Sequence, residues 1–259
     1  LYNLAKTDLG VPFWHNGRTY IVFGDAWSPP DDSIAYTEDT TPDDCLELTF
    51  LHNGPDPNGY GPYRPIKIPG VSLGAFEVPM EGVSVGGRMF IYATTDHSAS
   101  VTMGRSVVAV SDDNGYNFEY LYSLSKQHFI NVSIVKTDLS VWEGFPESNG
   151  VGLVIFGSGR YRQSDVRLAF QPASQITSPR SIRYFSGLRS SGQPTWSSRE
   201  EDAQALFNQP YVGELSVSYN YFIHRWIMLY NCCCERGINM RTACNAWGPW
   251  SEPQIIFHP

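Results

Sequence analysis

The chain has 259 residues, 18 Lys and Arg against 26 Asp and Glu, a formal charge of −8 and an aromatic content of 14%. That acidic balance, with no Lys/Arg cluster, excludes a surface built to neutralise a nucleic-acid backbone, and no apolar run approaches the roughly 18 to 20 residues that a bilayer-crossing helix needs. The length suffices for one closed all-β domain with a sizeable core; no Gly/Ser-rich or charged linker interrupts it, so a single domain over residues 1–259 is expected.

The first element is a hairpin, TDLGVPFWHNGRTYIVFGD from Thr7. Its apolar strand turns through Asn16-Gly17, a β-branched and aromatic strand returns from Tyr20 to Gly24, and Asp8 and Asp25 bracket the pair. The pattern recurs as PMEGVSVGGRMFIYATTD from Pro79, ESNGVGLVIFGSGR from Glu147 and VGELSVSYNYFIHRWIMLYN from Val212. Aligned on their returning strands, Asp25, Thr95, Ser158 and Asn231 are equivalent, and Asp8, Glu81, Asn149 and Glu214 occupy the entering ends. The copies step by roughly 70 residues, the period of one propeller blade with decorated loops. A propeller is therefore the expected architecture.

Three hairpins are followed by a second recurring piece: SVVAVSDDNGYNFEYLYSL from Ser106, VRLAFQPASQITSPRSIRYF from Val166 and INMRTACNAWGPWSEPQIIF from Ile238. Each reads as the two outer strands of a blade. Within the first, Ser111 to Phe118 matches the S-x-D-x-G-x-x-F "Asp box" of sialidase-like propellers, whose aspartate and glycine shape a turn while the aromatic inserts into the blade. Its expected role is structural. A sialidase-like site would instead need three converging arginines, for which Arg160, Arg225 and Arg241 are the candidates.

Five cysteines fall as Cys45, the triplet Cys232, Cys233 and Cys234, and Cys244. The triplet lacks the CxxC spacing that brings two thiolates to one ion, so a disulfide to Cys244 is expected rather than a metal site. Asn131-Val132-Ser133 is a glycosylation sequon. The N-terminus, LYNLAKTD, has neither an initiator Met nor a signal peptide and reads as either a trimmed or a mature secreted chain.

In a propeller the innermost strands end at the central axis, so Asp8, Asp25, Glu81 and Glu214 are expected to converge there with Arg160 and Asn231. Glycoside hydrolysis needs such carboxylates: one protonated to protonate the leaving oxygen, one ionised as base or nucleophile. Crowding helps, because like charges held close keep one of them protonated. The structural alternative is that each acid caps a turn. For Arg160, a salt bridge to Asp165 competes with a role in binding. Asp31-Asp32 and Asp43-Asp44 are either solvated turns or a calcium site.

TDLGVPFWHNGRTYIVFGD, GSGRYRQSDVRLAF, GELSVSYNYFIHRWIMLYN and the terminal WGPWSEP together resemble the family known as domain of unknown function 4185, over nearly the whole chain. Part of that family is classed as glycoside hydrolase family 183: endo-acting D-arabinanases on a five-bladed propeller that cleave α-linked D-arabinofuranose in actinobacterial arabinogalactan and lipoarabinomannan. The resemblance implies five blades, although four hairpins are counted; PIKIPG near Ile66 or the stretch Tyr184 to Phe207 is the candidate for the fifth. It implies that Asp8 and Asp25 are the catalytic pair. The expectation is a secreted, monomeric, metal-independent endo-glycosidase needing no cofactor and acting on a polysaccharide. Glu81, Arg160, Glu214 and Asn231 line its funnel, Trp27 or Trp14 offers a stacking face, and the PPDD loop from Pro29 walls the cleft. Inversion is expected by analogy with other five-bladed furanosidases. The rivals are a sialidase-like exo-enzyme and a non-catalytic sugar-binding propeller.

Overall fold

The computed structural model describes Leu4 and residues 6–26, 31–41, 43, 45–53, 62–232 and 236–258. The strands of these described residues form four antiparallel sheets in two compact units, Leu1–Ser123 and Leu124–Pro259.

In the first unit, the first sheet orders β1 (Asp8–His15), β2 (Arg18–Gly24), β3 (Ser33–Thr37) and β4 (Thr49–Phe50) side by side. The second orders β5 (Pro79–Val85), β6 (Arg88–Thr95), β7 (Arg105–Ser111) and β8 (Glu119–Ser125). Both inner hairpins turn as the sequence dictates. Asn16 and Gly17 stand at φ 45° and 85°, Gly86 and Gly87 at 59° and 79°, the left-handed pairs that match the twist of the flanking strands. One apolar cluster joins the two sheets, with Phe13, Val22, Ile34, Met89, Ile91 and Phe118 among its buried members. Gly82 is needed there, because a Cβ would overlap the Phe13 ring.

The Asp box is a stapled turn. Ser111 donates to Asp113 Oδ1 at 2.8 Å, the Asn117 amide donates to the same oxygen at 2.8 Å, and the Gly115 amide donates to Ser111 Oγ at 2.9 Å. Phe118 is then buried in the cluster.

In the second unit, the third sheet has five strands, in the order β13 (Pro194–Ser197), β12 (Arg183–Leu188), β11 (Val166–Pro172), β10 (Val151–Ser158) and β9 (Asn131–Asp138). The fourth orders β14 (Val212–Asn220), β15 (Arg225–Cys232), β16 (Ile238–Ala243) and β17 (Gln254–Phe257). Trp226, Phe156, Leu168 and Met228 lie at the centre of their shared core. The WGPWSEP segment is packing: Trp247 meets Phe145 edge-on at 5.5 Å and Trp250 meets Phe156 at 6.0 Å.

Among the described residues the architecture is all-β and propeller-like with four blades, as many as the hairpins counted in the sequence, and this corrects the five that the resemblance implied. Neither candidate for a further blade makes one. Tyr184 to Phe207 contributes β12 and β13 to the outside of the third sheet. Ile66 and Ile68 are buried in the first unit's core without joining a strand, since the prolines flanking them at 65 and 69 cannot donate to a ladder. The expectation of inversion, drawn from five-bladed enzymes, loses its basis with the count.

The inner strand of the third sheet also differs from its expected position. β9 pairs with β10 from Asn131↔Ser158 to Asp138↔Val151, so the entering end of this inner strand is at Asn131, not Asn149. The twelve-residue link 139–150, carrying a short 3-10 helix at Leu139–Val141, replaces the tight turn that marked the other copies. Asn131 is fully buried and its amide donates to the Gly159 carbonyl at 3.0 Å, so the sequon is closed to glycosylation in the folded chain.

Candidate active site

Bulges aim the acidic side chains. Register shifts fall between Asp8 and Val11, between Pro79 and Glu81, and between Val212 and Leu215, at the entering ends of three inner strands. An extra residue there kinks the strand and re-aims the neighbouring side chains. At the first, Leu9 at φ 59° and Gly10 at φ 141° form the kink. Asp8 pairs with Gly24 across the hairpin, which places it beside Asp25, the next residue on the returning strand.

Asp8 is exposed, and its Oδ1 accepts from the Leu9 amide at 2.8 Å. Asp25 is half-buried at φ 47°. Burial pushes its carboxyl above the usual aspartate value. A hydrogen bond from the Phe76 amide, 2.9 Å from Oδ1, works against this, and the negative charge of Asp8 adds to it. The bracket thus has the asymmetry that acid–base chemistry needs: one carboxyl raised, in the field of an exposed second one.

Asp32 and Glu77 frame Asp25 from below. Asp32 is buried, and its Oδ1 accepts from the Asp25 amide at 3.1 Å while, among the described residues, Oδ2 has no hydrogen-bond partner. Burial holds this carboxyl well above the aspartate range. Its engagement with the Asp25 backbone excludes a solvated turn. Glu77 is also buried. Its Oε2 accepts from Ser72 Oγ at 2.6 Å and the Gly74 amide at 2.7 Å, and its Oε1 from the His97 amide at 2.8 Å. Burial pushes the Glu77 carboxyl up, but these bonds outweigh it and hold the group below the usual value.

The other expected site residues divide. Glu81 is in the first unit but buried, its Oε1 taking the Gly82 amide at 3.0 Å; the charges acting on Asp25 come from Asp8, His97 and Glu77 instead. Trp14 is exposed at the turn end of β1, about 20 Å along the strand from Asp8, so it offers the aspartates no stacking face. Trp27 and the prolines of the PPDD loop lie outside the described residues. In the second unit, Asn231 donates to Glu214 Oε2 at the paired ends of β14 and β15. Arg160 lines a recess of about 300 Å³ with Lys126, His128, Asp165 and Arg167. Among the described residues Arg160 has no ion pair, and Asp165 is taken up by the Gln209 amide at 2.7 Å. A recess of about 600 Å³ on the first sheet, lined by Tyr36, Asp39 and Glu47, includes neither aspartate.

The arginine triad does not assemble. Arg225 is at the start of β15 and Asn231 near its end, about 20 Å apart, whereas the Arg162 amide bonds to Val212 at the far end of that hairpin and so keeps Arg160 there. Arg241 is buried, donating to Tyr230 Oη at 3.0 Å and to the Ser251 carbonyl at 2.6 Å. The expected bridge to Cys244 also fails for Cys232. Cys244 follows the strand end where Ala243 pairs with Trp226, while Cys232 follows Asn231, which pairs with Ile238 at the opposite end. The two sulfurs are thus far beyond the reach of a disulfide with each other; Cys233 and Cys234 lie outside the described residues. Among the described residues no cluster of three His, Cys, Asp or Glu side chains is arranged to hold a metal ion, and no helix is long and apolar enough to cross a membrane.

Residues 1–258 match the family described as Domain of unknown function (DUF4185). The chain belongs to that family. No curated protein matches the sequence, but solved structures share the fold. A Bacteroides ovatus protein assigned provisionally as a hydrolase superposes with a TM-score of 0.62 at 12% identity, covering 98% of this chain and 70% of its own. An exo-β-1,3-galactanase from Phanerochaete chrysosporium gives 0.59 at 11%, covering 95% and 49%. An endo-1,5-α-L-arabinanase from Thermotoga petrophila gives 0.57 at 11%, covering 94% and 52%. The chain thus spans 70% of the first and about half of each of the other two, and the two with named activities are glycoside hydrolases.

Proposed function

We propose that this protein is a secreted glycoside hydrolase that cuts α-linked D-arabinofuranose polymers internally, using Asp25 as the proton donor and Asp8 as its carboxylate partner. The observation that carries the reading is the asymmetric bracket: a half-buried carboxyl raised by burial beside an exposed one whose charge raises it further. Asp25 would protonate the glycosidic oxygen as its bond to the anomeric carbon breaks, while Asp8 activates the attacking water or attacks the anomeric carbon itself. Asp32, bonded to the Asp25 amide, is a positioning residue. The shared fold of a galactanase and an arabinanase supports a glycan substrate, and the sequence resemblance to D-arabinanases favours that polymer. Separation of the three arginines removes the support for a sialidase-like enzyme.

The test is product release from purified arabinogalactan and lipoarabinomannan by the wild type, Asp8→Asn and Asp25→Asn, with a sialoside and an L-arabinan as controls. Arabino-oligosaccharides are expected from the wild type alone. Release from L-arabinan but not D-arabinan would overturn the substrate, and full activity in either variant would overturn the pair.

A further inference from the structure

Phe76 is an anomaly of composition and of backbone. Half of its surface is exposed and its φ is 63°, the left-handed region where a bulky side chain is strained and glycine is the usual occupant. A strained, exposed phenylalanine is retained against both preferences, and such outliers cluster where a side chain is used. Its amide donates to Asp25 Oδ1 at 2.9 Å, which keeps its Cα within about 4.4 Å of the carboxylate oxygen. Its ring lies 5.1 Å from the exposed His97 imidazole, the planes 35° apart.

His97 is oriented as firmly. Its amide is bound by Glu77 Oε1, and its Nδ1 is 2.9 Å from the Thr102 carbonyl. A carbonyl only accepts, so Nδ1 carries the proton and Nε2 of the neutral ring is left as an acceptor. Among the described residues Nε2 has no hydrogen-bond partner. Glu77 fixes both ends of this arrangement, since Gly74 and Ser72 on the Phe76 side bind its other oxygen.

We infer that Phe76 and His97 form a sugar-binding shelf beside Asp25, the phenyl face stacking on the C–H face of one furanose ring and His97 Nε2 accepting from a hydroxyl of the same or the adjoining residue. The assignment rests on the hydrolase reading for the polymer, but the shelf itself rests on the geometry of Phe76 and His97. It gives the site an apolar face, which the surrounding carboxylates lack.

The experiment measures kcat and KM on D-arabinan for the wild type, Phe76→Ala, Phe76→Gly and Phe76→Tyr, and calorimetric binding of a D-arabino-oligosaccharide to the Asp25→Asn protein with and without Phe76→Ala. Loss of one stacking contact is expected to raise KM about tenfold in the alanine and glycine variants and to weaken calorimetric binding equally. The kcat should stay within about twofold and Phe76→Tyr should match the wild type. Phe76→Gly should melt at or above the wild-type temperature, because glycine relieves the strained φ. A KM within twofold of wild type in Phe76→Ala, with hydrolysis intact, would overturn the shelf and leave the hydrolase reading standing. Binding without product release would overturn the hydrolase reading alone, and the effect of Phe76→Ala on that binding would still decide the shelf. Neither binding nor release would overturn both.

Discussion

Truncating Glu77 to alanine tests whether the frame around Asp25 is held by one buried carboxylate. Three donors converge on it, from Ser72, Gly74 and His97, and a hydrogen bond to a charged acceptor contributes roughly 1.5–3 kcal/mol. Ser72 and His97 are exposed enough for water to replace part of what is lost, so the net cost is about 2–4 kcal/mol, read as the shift in urea midpoint at constant m-value. Glu77→Gln should cost less, because the amide keeps one acceptor but turns an N–H toward a donor. The sign of the pH dependence comes from the lowered carboxyl. Between its folded value and the unfolded value near 4.5 the unfolded chain binds more protons, so stability rises with pH through that window. The gap between wild type and Glu77→Gln should be full above about pH 6 and close as pH falls through the folded value. Amide exchange at Gly74 and His97 should accelerate in both variants. A Glu77→Ala protein within about 0.5 kcal/mol of wild type at pH 7, or a gap unchanged down to pH 3, would refute the argument.

Asp32→Asn should be tolerated near pH 4 and increasingly stabilising toward pH 7, because a carboxyl raised by burial costs stability as pH climbs past its unfolded value; urea titrations at the two pH values check this. Asp8→Asn should lower the titration midpoint of Asp25, since it removes a charge that raises it, and carbon-13 NMR of the carboxyl reports the shift. Asp113→Ala should cost about 1–2 kcal/mol by releasing Ser111 and Asn117 from the Asp-box turn without altering product release from any substrate. Maleimide labelling mapped by peptide mass should find Cys45 and Cys244 open in the folded protein and Cys232 protected until urea is added.

Short-range chemistry determines the features that were legible in the sequence. Asn16-Gly17 and Gly86-Gly87 announce their hairpins because few other pairs reach φ > 0 twice in succession, and the bracket of Asp8 and Asp25 results from hairpin pairing alone. β9 escaped because its partner returns only after a twelve-residue link, so no turn signal ties the two strands together. The four hairpins counted in the sequence match the four sheets; the fifth blade came from the family resemblance, and Tyr184 to Phe207, offered for it, instead extends the third sheet as β12 and β13, a long-range choice that strand composition does not reveal. Glu77, Phe76 and His97 were missed in a different way. A Gly-Ala-Phe-Glu-Val run before a buried strand reads as packing, and only the fold brings Glu77 to the His97 amide twenty residues on. A signal was present even so, in an acid flanked by Phe76 and Val78 at the mouth of a strand. A carboxylate in apolar sequence must find donors or lose its charge, and the donors it found are those that hold Phe76 and His97 beside Asp25.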